Sequence, residues 1–407
     1  MPLIRDVKTL GQQAKRALRR RRAQAEWDSY EAERGALPER HFEAVIYFAD
    51  TVVNQYQLRQ WYEPMRRLSV QHPVAVVMRN VQTATALKEE CPLPIIVKRT
   101  VAEIEEWLET QRVGIVFYVN QNTRNFQMMR FRDPAHVFIS HGESDKDYMA
   151  SNQLKAYDYT FIAGQAAYER ISKRLIDFDV DKRLVRIGRP QVDVEYEGPT
   201  LPDDGRTVVL YAPTWEGDRP SMTYSSLKSH AEPMLDALLA TGKHRVVYRP
   251  HPRTGAYDPM FKEVHSGIVA KLQRANTEDP SAHHMVDTES AFGWHLAAAD
   301  VCVCDISAVA FDWLATGKPL LLTEPASPEA EVDRTGLAGL IETFKAPDAA
   351  NALGIIESFS SEETRAKFAA IVEQYFGDVT RGGSTQKFIR EAGAIIRRRA
   401  SPVLSPS

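Results

Sequence analysis

Short, continuous apolar runs punctuate this chain, separated by longer stretches whose apolar positions recur with helical spacing. In the first half the runs are AVIYFAD (44–50), VAVVMRN (74–80), PIIVKR (94–99), VGIVFYVN (113–120), HVFISHG (136–142) and YTFIAG (159–164). In the second half they are TVVLYAPT (207–214), RVVYRPHP (245–252), VCVCDIS (301–307) and PLLLTEP (319–325). A strand with one wet face alternates apolar with polar residues; continuous apolar runs predict strands covered on both faces. Separated by helix-length segments, they predict parallel sheets with helices on either side, an α/β fold. Between the halves, RPQVDVEYEGPTLPDDGR carries three prolines, two glycines and an acidic cluster, and predicts a linker over 191–206. The expected architecture is two doubly wound domains, 41–190 and 207–396, facing a cleft.

The start of the chain has a different pattern. In MPLIRDVKTLGQQAKRALRRRR, Leu3, Ile4, Val7, Leu10, Ala14, Ala17 and Leu18 fall at helical spacing among eight Lys/Arg residues. This predicts a basic amphipathic segment within 1–40, whose residues 3–22 suit the surface of an anionic membrane; a helix packed on the protein's own surface is the alternative. Basic residues near such a leaflet contribute about 1 kcal/mol each, which favours reversible attachment over insertion. No run approaches the roughly 20 apolar residues of a membrane-spanning helix, and the N-terminus lacks the apolar core of a secretory signal. The tail RRRASPVLSPS (397–407) is expected to be disordered.

Composition adds exclusions. Apolar residues make up 43% and charged residues 26%, as in a soluble globular protein, and the net charge of −3 argues against bulk nucleic-acid binding. Of the three cysteines, Cys91, Cys302 and Cys304, the last two share one strand face and are read as packing, consistent with a reducing cytoplasm.

In doubly wound sheets, ligands gather beyond the carboxyl ends of the strands, so polar residues there are candidates. VFISHGESDK places His141 and Gly142 at such an end. A neutral imidazole can serve as general base, Gly142 leaves the backbone open to a substrate, and Glu143 or Asp145 is placed to orient the ring. A purely structural histidine is the alternative. RVVYRPHPRTG sets His251 between Arg249 and Arg253, with Pro250 and Pro252 stiffening the loop, and predicts an anion site. VCVCDISAVAFDWLATGKP reads strand, turn, helix; Asp305 or Ser307 caps a helix whose N–H groups suit a phosphate, and Asp312 lies further along it. In LYAPTWEGD, Thr214 offers a hydroxyl and Trp215 a stacking face for a nucleotide. The histidine-rich SAHHMVDTES lacks ligand spacing, so no metal site is expected from His283, His284, Asp287 and Glu289, and His295 is expected to be packed in a helix.

Taken together and in this order, HGESDK, YAPTWEG, YRPHP and DISAVAFD resemble the CDP-glycerol glycerophosphotransferase family of teichoic-acid and capsule synthesis, over roughly residues 130–330. The resemblance implies a GT-B fold, two Rossmann-like domains with an N-terminal acceptor domain and a C-terminal nucleotide-donor domain. It implies His141 as catalytic base and His251 as a second essential histidine near the donor's phosphates. Thr214 and Ser307 would contact the donor, Asp305 and Asp312 would lie near the ribose or be structural, and Trp215, Arg249 and Arg253 would complete the donor side. Gly142, Glu143 and Lys146 would line the acceptor side. The implied reaction moves glycerol phosphate, or a related polyol phosphate, from a CDP-activated donor to a hydroxyl of a lipid-linked or polymer acceptor, releasing CMP. It needs no cofactor and takes place in the cytoplasm, at the inner face of the cell membrane. Three departures bear on the transferred group: Glu143-Ser144-Asp145 replaces Thr-Pro-Leu, Ala308 replaces a second serine, and Glu216 stands where a basic residue is common. The rival readings are a GT-B glycosyltransferase using a nucleotide-sugar and a non-catalytic nucleotide-binding protein.

Overall fold

The computed structural model describes residues 2–143, 147–288, 293–359 and 361–400. The apolar runs form two parallel sheets. The first has the order β3-β2-β1-β4-β5-β6-β7, from β1 (Ala44–Phe48), β2 (Val74–Met78), β3 (Ile95–Val97), β4 (Ile115–Tyr118), β5 (Ala135–Phe138), β6 (Tyr159–Ile162) and β7 (Leu184–Arg186). The second has the order β10-β9-β8-β11-β12, from β8 (Thr207–Ala212), β9 (His244–Tyr248), β10 (Met285–Val286), β11 (Val301–Cys304) and β12 (Leu320–Leu322). Neither β7 nor β10 was expected; each is too short to stand out as a run.

The continuous apolar pattern has a direct cause. Along β1 and β2, Ala44, Ile46, Phe48, Val74, Val76 and Met78 enter one core, and Val45, Tyr47, Ala75 and Val77 enter another on the opposite face. The second sheet divides likewise, with Leu210 and Ala212 on one side and Val209 and Tyr211 on the other. Both sheets are thus apolar on two faces, and every C-terminal strand end points to one edge.

Among the helices that pack on the sheet faces, five bear on the site and the domain junction: α1 (Pro2–Arg34), α2 (Val81–Leu87), α3 (Gln165–Arg174), α4 (Ala308–Leu314) and α5 (Gly383–Ala400). Helix α1 fills most of the segment 1–40 that was expected to stand apart from the first domain, yet its second half belongs to that domain. Trp27 is buried there, Ala23 and Tyr30 pack against the same core, and the Arg34 guanidinium donates to Ile95 O at 2.7 Å. Among the described residues no helix is long and apolar enough to cross a membrane.

The last helix departs from the expected division at 396. Phe388, Ala392, Ile395 and Ile396 of α5 lie in the core beneath β1, β4 and β5, so the chain crosses back to the first domain. Residues 397–400, expected in a disordered tail, form its last turn. The expected linker begins as a buried turn at Pro190–Asp193. There the Asp193 carboxylate accepts from Gly382 N (2.9 Å), Thr385 N (2.7 Å) and Thr385 Oγ1 (2.9 Å), holding the two crossings together.

Candidate active site

His141 leaves the first sheet just beyond β5. Ser140 sits in the left-handed region at φ 55°, a conformation costing a non-glycine residue about 1–3 kcal/mol unless its surroundings hold it. They do: Trp61 Nε1 donates to Ser140 O at 2.5 Å, and Ser140 Oγ donates to Gly142 O at 2.9 Å. The resulting turn brings His141 Nδ1 to 3.1 Å from Val119 O and its ring edge-on to Tyr56 at 5.8 Å. A carbonyl can only accept, so in the neutral ring the proton lies on Nδ1 and the basic lone pair on Nε2.

Gly142 is not required by packing, since a Cβ there would meet nothing nearer than Arg189 Nη2 at 3.9 Å. Glu143, expected on the acceptor side, is instead buried and paired with Arg170 of α3, tethering the loop. Asp145 and Lys146 lie outside the described residues.

His141 opens on a pocket of about 490 Å³ lined by Asp50, Tyr56, Gln57, Asn120, Gln121, Asn122 and Thr123, all of the first domain. Asn120 Nδ2 donates to Gln57 Oε1 at 2.7 Å and to Asp50 Oδ2 at 3.2 Å, and Asn122 Nδ2 reaches the same Oδ2 at 3.2 Å. Carboxamides held this way offer both donors and acceptors, the surface that hydroxyl-rich ligands need. Sequence reasoning missed all of them. The signal was available, because Asp50 and Asn120 lie just beyond β1 and β4, as His141 lies beyond β5.

The second domain builds its cluster from two loops. Arg253 lies over the Trp215 ring at 3.7 Å, and the His251 ring stacks on Trp215 at 6.3 Å. His251 Nδ1 accepts from Arg253 N at 3.1 Å, which puts the proton of the neutral ring on Nε2. In the neutral rings these contacts put the proton on opposite nitrogens of the two strand-end histidines, Nδ1 in His141 and Nε2 in His251.

Glu216 joins these loops. Its buried carboxylate accepts from Gly255 N (3.0 Å), Tyr257 N (2.8 Å) and Asp258 N (3.2 Å). Burial pushes this carboxyl up, but the backbone N–H groups outweigh it and hold the group below the usual glutamate range. The departure from a basic residue thus has a structural reason.

Asp305, expected near the ribose or in a structural role, is fully buried. It accepts from Thr214 N (2.6 Å), Ser226 N (3.2 Å) and Thr323 Oγ1 (2.5 Å), fixing the backbone that carries Thr214 and Trp215. Burial pushes its carboxyl up to about 6, against those donors. Asp312 is also committed within the chain: Arg189 donates Nε at 3.0 Å and Nη2 at 2.5 Å to its Oδ1, across the junction between the domains. Arg249 pairs with Asp287, which also takes the His295 Nε2 contact at 2.6 Å. Burial, reinforced by Arg249, pushes His295 down to about 4, so it is neutral at pH 7.

Ser307 starts α4 without capping it, and among the described residues its buried hydroxyl has no hydrogen-bond partner. It lines a cavity of about 810 Å³ with Arg219, Tyr224, Phe311 and Asp333 of the second domain and Arg174 of α3 from the first. That size suits a nucleotide-sized ligand. Neither this cavity nor the His141 pocket takes in Thr214, Trp215, Arg249, His251 or Arg253. Among the described residues, no group of three His, Cys, Asp or Glu side chains is arranged to hold a metal ion.

The paired sheets have solved counterparts. A structure of the wall teichoic acid polymerase TagF, soaked with CDPG, aligns with 96% of this chain and 99% of its own, at TM-score 0.55 and 15% identity. A UDP-N-acetylglucosamine 2-epimerase aligns with 90% of this chain and 99% of its own, at TM-score 0.55 and 13% identity. A glycosyltransferase from Rickettsia africae ESF-5 covers 88% and 99%, at TM-score 0.51 and 11% identity. These similarities establish the two-domain GT-B type of fold. No curated protein matches the sequence. The model of the CDP-glycerol:poly(glycerophosphate) glycerophosphotransferase family matches residues 139–387, more than half of the chain and all four motifs from His141 to Asp312, and the chain belongs to that family.

Proposed function

We propose that this protein transfers glycerol phosphate, or a related polyol phosphate, from a CDP-activated donor to a hydroxyl of a polymer or lipid-linked acceptor. The observation that carries the reading is the placement of His141, its Nδ1 bonded to Val119 O at the mouth of a carboxamide-lined pocket. An acceptor hydroxyl in that pocket gives its proton to Nε2 and attacks the donor's β-phosphorus. The new P–O bond replaces the bond to CMP, which leaves with the electron pair. His251 Nε2–H, Arg253 and the partnerless Ser307 hydroxyl are suited to the donor's phosphates, and Trp215 to a base or ribose face. The same reading accounts for the basic first half of α1, whose residues 3–22 would hold the enzyme on the anionic inner face of the membrane near a lipid-linked acceptor.

The test is incubation of the purified protein with CDP-glycerol and a polymer or lipid-linked acceptor, with released nucleotide followed by mass and His141→Ala alongside. CMP should appear, and the variant should be slower by at least about a hundredfold, the usual contribution of a general base. Equal turnover by the variant would remove His141 from the reaction. A nucleoside diphosphate released from a nucleotide-sugar, with no CMP from CDP-glycerol, would favour glycosyl transfer on the same scaffold.

A further inference from the structure

A second cavity of the first domain, about 400 Å³, is lined by Arg20, Arg79, Asn80, Val81, Gln82, Arg99, Arg124 and Gln127. Its charge is one-sided. Among the described residues, none of the four guanidiniums pairs with a carboxylate. Arg79 is fixed by neutral acceptors alone: Tyr47 OH at 3.0 Å, Gln127 Oε1 at 2.8 Å, and Arg99 O from Nε at 3.1 Å and Nη2 at 2.7 Å. Arg99 reaches Gln24 Oε1 of α1 at 3.4 Å, and Arg20 arrives on the same helix. Glu103, in the first turn of the helix Val101–Glu109 that follows Arg99, is bonded to the backbone N–H groups of Arg99 and Thr100 as part of a capping box. A guanidinium held in place by neutral oxygens is oriented while its charge stays uncompensated, which suits a phosphate anion.

Position gives the cavity its meaning. Arg99, Arg79, Asp50, Asn120 and His141 lie just beyond β3, β2, β1, β4 and β5, which is their order across the sheet. They form a single track along its C-terminal edge. The basic cavity and the His141 pocket adjoin, since Arg124 lines the first and Thr123 the second, and the Tyr47 hydroxyl lies 3.5 Å from Arg124 O. Arg79 and His141 stand three strands apart, about 14 Å at the usual inter-strand spacing.

We infer that the cavity of Arg20, Arg79, Arg99 and Arg124 binds a phosphodiester of the acceptor itself, several bonds back from the hydroxyl placed at His141. The inference rests on the transfer reaction proposed above and specifies its acceptor: an anionic chain long enough to span both pockets, not a single polyol unit. An anionic lipid headgroup has the same phosphodiester chemistry, and the experiment must separate the two sources.

The full-length protein is titrated into a fluorescent glycerol-phosphate oligomer, and separately into phosphatidylglycerol and phosphatidylcholine vesicles. In the double variant Arg79→Gln, Arg99→Gln, oligomer affinity should fall by on the order of tenfold or more, with a shallower salt dependence. Arg124→Gln, at an exposed side chain that folding does not need, should weaken binding in the same direction. Arg132→Gln, elsewhere on the surface, should bind as wild type does. In turnover, the KM of the oligomer should rise in the variants while kcat at saturation holds, and that of free glycerol phosphate should not change. Unchanged oligomer affinity in both the double variant and Arg124→Gln would overturn the inference. So would a loss confined to phosphatidylglycerol vesicles, which would assign the cavity to the lipid surface. Oligomer binding is read without turnover, so a chain that binds through these arginines yet releases no CMP would refute the transfer reaction and leave this site standing.

Discussion

Replacing Glu216 should loosen both donor-side loops without unfolding the second domain. The carboxylate is 5% exposed and takes three backbone N–H bonds from residues 255–258, the segment that follows His251 and Arg253. Hydrogen bonds to a charged group contribute about 1.5–3 kcal/mol each, and three sharing one carboxylate do not add fully. With partial rescue by water, Glu216→Ala should cost about 3–5 kcal/mol locally. Each 1.4 kcal/mol is tenfold in an equilibrium, so opening of the 251–258 loop should become at least about a hundredfold more frequent. Glu216→Gln keeps one acceptor oxygen but turns an amide N–H₂ toward a backbone donor, and should cost about 1–2 kcal/mol.

Hydrogen exchange read on the amides of Gly255, Tyr257 and Asp258 measures this directly. Donor affinity should fall in parallel, because the Trp215, His251 and Arg253 stack depends on the same loop pair. The pH dependence has a definite sign. The folded carboxyl lies below the 4.5 of an ordinary glutamate, so its stabilisation is present above that value and fades as pH falls through the lower folded one. Wild type and Glu216→Gln should therefore converge in acid. Wild-type protection of all three amides in Glu216→Ala would refute the reasoning.

Two further substitutions test residues that hold the site without reaching a ligand. Asp312→Ala strands the Arg189 guanidinium, 7% exposed at the domain junction, and should cost about 3–5 kcal/mol in urea denaturation; Arg189→Met with Asp312→Leu should lose much less. A loss under about 1 kcal/mol for the single variant would refute the pairing. Asp305 has a folded value of about 6 against an ordinary 3.8, so its contribution is fully present below 3.8 and is lost as pH rises through 6. The stability of wild type relative to Asp305→Asn should thus fall by about 3 kcal/mol between pH 3.5 and 7, and a rise over that interval would contradict the burial argument.

Much of the fold could be read from the sequence because the sheets are covered on both faces, and ten apolar runs became ten strands. What failed was what lacks length or a clean stripe. β7 and β10 are three and two residues long, and the second half of α1 buries Ala23, Trp27 and Tyr30 amid a charged sequence. The return of α5 to the first domain was invisible for another reason: Phe388, Ala392, Ile395 and Ile396 make an ordinary apolar face that says nothing of which sheet it covers. For the candidate site, the strand ends singled out in the sequence do carry polar clusters in the structure, but residue type did not reveal their partners. Asp305 and Asp312 sit in a ligand-like motif, yet one is wholly internal and the other bonds Arg189. Arg249, beside His251, is taken by Asp287, which sequence reading had set aside.

The two domains treat charge at their strand ends in opposite ways. In the second, cations are met from within the chain: Arg249 by Asp287 and Arg253 by the face of Trp215. In the first, Arg79 and Arg99 meet carbonyl, phenol and carboxamide oxygens, which orient a guanidinium without neutralising it. A net charge of −3 over 407 residues therefore does not describe the field at this edge, which local pairing sets. The argument against bulk nucleic-acid binding still stands for the chain as a whole, whose net charge is negative. It does not extend to a thin polyanion threading along the sheet edge toward His141, and a first domain with this distribution of charge is suited to an acceptor that brings its own phosphates.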